Sequence, residues 1–131
     1  MLESVRKNRK KYHNFILENI QDYLYRKKRY EVDFTLAIAI CNPEVCMTDF
    51  EKNIRQTDTF IKLEDNLCVV VFDGIDSENA NKATVHLQAK FQMEYFGEEL
   101  FISIVTSYDY DHDGYKMINS LLDVLEYSIS N

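Results

Sequence analysis

Arg55 and Asp58 stand three positions apart, and after five further residues comes the polar run Glu64-Asp65-Asn66, followed by Leu67 and Cys68. A guanidinium offers a rigid fork of donors and a carboxylate offers two acceptor oxygens, so such a pair can hold a ligand through charge-assisted hydrogen bonds. The plain alternative makes Arg55 a solvated cation at a helix end, worth within about 0.5 kcal/mol to stability, and Asp58 a turn residue. Nothing in the pair alone decides between the two.

Other reactive side chains carry less. Asp109-Tyr110-Asp111-His112-Asp113-Gly114 has the alternating acids and glycine that open a calcium loop. Such a loop also needs a bidentate Glu at its twelfth position, which here is Ser120, so a solvated turn is the better reading. Cys41 and Cys46 are too few for zinc, which takes four ligands. His13 and His86 fall in helical patterns and His112 in the acidic loop, none with a nucleophile pattern nearby. No metal or cofactor is expected.

These residues need a scaffold, and 131 residues with 46% hydrophobic content suit one domain with a real core. We expect a single domain over residues 1–131, with an N-terminal helix in 1–30 and the core in 31–131. One proline and three glycines leave no room for a flexible linker, and three cysteines without a scaffold pattern argue for reduced thiols and a cytoplasmic protein. No apolar run is long enough for a membrane span or a signal peptide. The net charge of −7 is uneven: residues 1–32 hold nine Lys/Arg against four acids. A basic arm can address nucleic acid or an anionic membrane. The better reading is the solvated face and last turn of an amphipathic helix, where cations suit the negative end of the dipole, so neither partner is expected.

Tyr12, Phe15, Ile16, Ile20, Tyr23 and Leu24 recur at helical spacing to about Lys28. Phe34 to Cys41 reads as a strand with large residues on one face and small ones on the other, hence central and covered on both sides. Asn42-Pro43 ends it. Thr48-Asp49-Phe50-Glu51 has the capping-box pattern and predicts a helix of about two turns. Phe60–Leu63 and Leu67–Phe72 predict a hairpin turning at Glu64-Asp65-Asn66, residue types that tolerate positive φ. Ala80, Ala83, Leu87 and Phe91 mark another helix, Leu100–Thr106 a strand, and Tyr115, Ile118, Leu122, Leu125 and Ile129 a last helix. The order α, β, α, β, β, α, β, α is that of an α+β, ferredoxin-like core with added terminal helices.

The chain also resembles the GGDEF family of diguanylate cyclases. Arg55-x-x-Asp58, the five-residue spacer Thr59–Leu63 and then Glu64-Asp65-Asn66-Leu67-Cys68 align without a gap on that family's Arg-x-x-Asp motif, spacer and Gly-Gly-Asp/Glu-Glu-Phe signature. Asn8-Arg9-Lys10-Lys11-Tyr12 is similar to the family's Asn-Arg-Arg-x-Phe, Ile102-Ser103-Ile104-Val105 to its Val-Ser-Ile-Gly, and Leu122-Asp123-Val124-Leu125-Glu126-Tyr127 to its closing Ala-Asp-x-Ala-Leu-Tyr. The resemblance implies a nucleotide-cyclase-type sandwich in which a mostly antiparallel sheet is covered by helices, in a bacterial signalling protein.

It also implies a lost activity. The family holds two divalent cations on carboxylates at the end of the first strand and on the hairpin, so that a 3′-hydroxyl can attack an α-phosphate. Here no carboxylate lies between Asp33 and Glu44, and Asn66 and Leu67 stand in the places of the two acids. Glu64 and Asp65 replace the paired glycines that let backbone approach nucleotide. What the resemblance leaves intact is Arg55 and Asp58, which in relatives bind cyclic di-GMP. Two functions are expected of a domain that is not an enzyme: a cyclic di-GMP receptor through those two residues, or a ligand-free module that forms a homodimer or docks a protein partner. An active cyclase is the weakest choice.

Overall fold

Alternation along Phe34–Ile40 sends Phe34, Leu36, Ile38 and Ile40 to one face and Thr35, Ala37 and Ala39 to the other. In the computed structural model, which describes residues 1–74, 77–111 and 113–130, this strand, β1, is buried along its whole length. The others are β2 (Thr59–Glu64), β3 (Leu67–Asp73) and β4 (Phe101–Thr106). Their order is β2-β3-β1-β4, with every adjacent pair antiparallel. β1 and β2 are therefore parallel with β3 between them, the split βαβ arrangement of a ferredoxin-like core. The interior place expected for β1 is the one it occupies.

The two faces of β1 build two different cores. The large residues meet helices α1 (Leu2–Asn19) and α4 (Gly114–Ser130), where Tyr12, Ile16, Leu121, Leu122 and Leu125 are buried with Leu36 and Ile38. The small residues let bulky groups approach from the other side: Phe91 of α3 (Ser77–Glu94) and Phe50 pack against Ala37 and Ala39, their rings edge to face at 5.9 Å. Arg9 of α1 clamps α4 by pairing with Glu126 and with Asp123 (2.7 Å) and by donating to the Asn119 carbonyl (3.2 Å).

Several local expectations need correction. The N-terminal helix is two: α1 ends at Asn19, and α2 spans Gln21–Tyr30 after a break at Ile20. There the Ile20 amide and the Gln21 side chain both donate to the Leu17 carbonyl. The capping box at Thr48 is not made. Thr48–Asn53 is a 3-10 helix with no side-chain cap, its Phe50 drawn into the core. The hairpin turns at Asp65-Asn66 without positive φ, because a register shift between Lys62 and Glu64 supplies the bend instead. Tyr115, placed in the apolar stripe of the last helix, is exposed and lies against the His13 ring at 4.5 Å.

Where β1 starts, Asp33 accepts from Ser107 Oγ (2.9 Å) and pairs with Lys27 Nζ (2.8 Å), while the Phe34 amide donates to Ser107 Oγ (2.9 Å). Burial pushes the Asp33 carboxyl up, but the bonds from Lys27 and Ser107 together outweigh it and hold the group below its ordinary value. The stability it contributes is complete above about pH 4, the unfolded value, and is lost as pH falls toward the lowered one. Asp33→Asn should therefore unfold less steeply with acid than the parent, as followed by circular dichroism. On β1 itself, Ile38→Ala should cost about 2–5 kcal/mol and Ala39→Leu about 1–3 kcal/mol in urea titrations. Equal tolerance of both would contradict the division into a thick and a thin core.

Candidate functional site

Arg55 and Asp58 are closed by a turn in which the Asp58 amide donates to the Arg55 carbonyl (3.0 Å). The guanidinium grips the carboxylate with both prongs, Nε to Oδ2 at 2.9 Å and Nη2 to Oδ1 at 2.8 Å, and Nη2 also donates to the Asp73 carbonyl (3.2 Å). The Asp73 amide in turn donates to Asp58 Oδ1 (3.2 Å). Arg55 is 53% exposed and Asp58 only 1%. The bond to Asp58 raises the guanidinium further above its ordinary value. Arg55 is thus no loose helix-end cation. It follows extended Ile54 and tethers the start of β2 to the end of β3. Asp73 extends the group by pairing with Arg26 of α2 at 3.0 Å. Neither Arg26 nor Asp73 stands out in the sequence, because a register of paired strands, not a local spacing, brings them there.

Glu64 to Cys68 lie at the opposite end of the hairpin, roughly 20 Å away by the length of a six-residue strand. The structure therefore does not bring the two candidate groups together. Glu64 is turned to α1, accepting from the Tyr12 hydroxyl (3.1 Å) with Lys11 Nζ at 3.9 Å. Burial and the Glu64 charge push Tyr12 up to about 12. Asp65 pairs with Lys62 (2.8 Å), whose bond draws its carboxyl down. Leu67 and Cys68 are buried on opposite faces of β3, and burial takes the Cys68 thiol up to about 12.

The tip is also sewn to the loop that follows β1. The Cys41 amide donates to the Asn66 carbonyl (3.0 Å), Asn66 Nδ2 to the Cys41 carbonyl (3.0 Å), and the Met47 amide to the Asp65 carbonyl (2.7 Å). The cleft left beside this seam, between Tyr12, Ile40, Pro43, Glu64 and Leu67, holds about 160 Å³, short of the ~300 Å³ at which small-molecule sites begin. A wider recess of about 530 Å³ faces outward next to it, lined by Glu64 and by the paired Lys62 and Asp65.

In the acidic loop, Asp109 accepts from Thr106 Oγ1 (3.1 Å) and Asp113 caps α4 through the Lys116 amide (3.0 Å). His112 lies outside the described residues, while His86 is exposed on α3 and His13 is buried under Tyr115. Among the described residues no cluster of three or more His, Cys, Asp or Glu is arranged for a metal ion, and no helix is long and apolar enough to cross a membrane.

No family model matches the chain, and no curated protein does. Solved structures do. A DGC protein from Thermotoga maritima superposes with a TM-score of 0.63 at 15% identity, over 82% of this chain and 89% of that one. The diguanylate cyclase SiaD from Pseudomonas aeruginosa, solved with its activator SiaC, gives 0.59 at 12% identity, over 88% of this chain and 55% of that one. The fold is that of the GGDEF-type diguanylate cyclases. At such identities the likeness concerns architecture, and this chain spans little more than half of SiaD.

Within a cyclase-type fold, the Arg55–Asp58 fork contributes to stability whatever else it does. Arg55→Ala would strand a buried carboxylate and should lower stability by about 1–3 kcal/mol, far more than an exposed arginine normally does. Urea unfolding measures this directly, and a variant as stable as the parent would show the fork to be incidental.

Proposed function

We propose that this domain is a catalytically inactive member of the cyclase-type fold that works as a signalling module by contacting another protein. The observation that supports it most is the seam between the hairpin tip and the loop after β1. A cyclase needs that gap open for nucleotide and lined by carboxylates for two cations. Here Asn66 fills it with hydrogen bonds to Cys41, Leu67 is committed to the core, and Cys41-Asn42 ends the first strand without an acid. The SiaD structure, a cyclase in complex with its activator, supports reading the fold as one that docks proteins.

A second reading rests on Arg55, half of which is open to solvent while Asp58 holds its guanidinium in a fixed plane. Cyclic di-GMP would bind there by drawing the fork away from Asp58, so its affinity carries the cost of breaking that pair.

Incubation with GTP and magnesium or manganese should yield no cyclic di-GMP, and Leu67→Glu should not rescue synthesis, since the strand-end ligand and the open gap are also lacking. Product above an empty-preparation background would overturn the inactive reading. Calorimetric titration with cyclic di-GMP separates the other two readings. Binding heat with an affinity that Arg55→Ala lowers by roughly thirty- to over a hundredfold, the worth of ~2–3 kcal/mol, would establish the receptor. No heat at high micromolar ligand leaves the protein-contact reading.

A further inference from the structure

The two edges of the sheet are built differently. β2 carries Lys62, which pairs with Asp65, and Glu64, which Tyr12 holds, and a register shift lies between them. Charges and bulges of this kind keep an edge from pairing with other chains. β4 has none of them. Its six residues, Phe101-Ile102-Ser103-Ile104-Val105-Thr106, hold no charge and no proline, match β1 in an unbroken register, and are only half-buried from Phe101 to Ile104. Among the described residues, no strand or side chain bonds the outer backbone of this segment.

The ends of the edge are acidic, with Glu98 and Glu99 before it and Asp109 after it. One side of α3 overhangs it. The Gln88 side chain donates to the Leu100 carbonyl (3.0 Å) just ahead of β4, and Val85 shares that side of the helix at i−3. Val85 is 66% exposed. A free ladder, Val85 on the helix beside it and carboxylates before and after it thus lie along one edge of the sheet.

We propose that the β4 edge is a strand-docking site for an extended segment of a partner protein, with alternating apolar side chains and Lys or Arg at both ends. The proposal rests on the protein-contact reading and names the surface that serves it. Six residues offer about 20 Å of ladder. The partner's backbone completes the hydrogen bonds, its side chains on the α3 side pack against Val85, and its flanking cations meet Glu98, Glu99 and Asp109. A second copy of this chain fits worse: antiparallel pairing of β4 with itself would set Glu98 and Glu99 of each copy near Asp109 of the other, like against like.

The test uses a short fluorescent peptide of alternating Val and Thr between Lys-Arg pairs, titrated against the whole chain by anisotropy. Hydrogen exchange then locates the site. Binding should protect residues 101–106, weaken by at least about tenfold when the flanks become Glu, and weaken with added salt. N-methylation at alternate peptide positions should abolish it in one register and spare it in the other, a control that leaves the protein untouched. Glu99→Lys should reduce affinity at an unchanged melting temperature, since so exposed a side chain contributes little to the fold. The proposal fails if both methylated peptides bind like the parent, if protection falls elsewhere, or if residues 101–106 become protected with protein concentration alone, which would assign the edge to a second copy. Failure here leaves the inactive-domain reading standing, since that is decided by the GTP assay.

Discussion

Both edges of β1 are hydrogen-bonded into the sheet and both of its faces are covered, so the strand has nowhere to exchange a side chain for water. Its alternation of large and small residues then sets how near the covering layers come. Phe34, Leu36, Ile38 and Ile40 hold α1 and α4 off at the distance their own bulk requires, while Ala37 and Ala39 let Phe50 and Phe91 close onto the backbone. The side with the small residues can therefore be roofed by a single long helix and a six-residue 3-10 turn. The connection from β1 to β2 holds only that 3-10 turn, and its shortness brings the loop after Cys41 against the hairpin tip.

That same shortness explains why the tip is sealed. Asn66 reaches Cys41 and Asp65 reaches Met47 because the chain between β1 and β2 turns back at once at Asn42-Pro43, where Asn42 Oδ1 also accepts from the Glu44 amide. Polar residues at a hairpin tip normally spend their hydrogen bonds on water. Here they spend them on the neighbouring loop, and Glu64, with no room inward, is turned to Tyr12 on α1. The tip thereby connects the loop after β1 to the first helix. An element that is bonded on both sides cannot also open for a nucleotide without giving those bonds up.

The large features of this architecture are legible in the residues because they depend on pattern. Period two at Phe34–Ile40, period 3.6 at Ala80–Phe91 and Ile118–Ile129, and the polar break at Asp65-Asn66 each follow from which side chains must leave water. The features that escaped depend on partners far away in the chain. Thr48 and Glu51 satisfy a capping pattern, yet burying Phe50 fixes a 3-10 helix there. Asp65 and Asn66 suit positive φ, yet a bulge upstream makes it unnecessary. Asp58 is a turn residue, as its bond to the Arg55 carbonyl shows, but only β3, by placing the Asp73 amide and carbonyl beside the pair, makes it the anchor of the guanidinium as well. Arg9 and Asp123 belong to two weak motifs at opposite ends of the chain, and only the packing of α1 on α4 makes them one ion pair.

The Arg55–Asp58 fork illustrates why a match to a motif is weak evidence for its function. A carboxylate that is 1% exposed needs compensation, and removing its arginine costs the fold whether or not a ligand ever bound there. Selection for stability alone would keep both residues at this spacing. A binding role would add a demand that stability does not make: the guanidinium must be able to leave the carboxylate and still find enough hydrogen bonds elsewhere. Arg55 meets half of that demand, being held by the Asp73 carbonyl as well as by Asp58 while much of its surface faces solvent. Asp58 does not, because its oxygens already serve Arg55 and the Asp73 amide in a place where water does not reach to replace them.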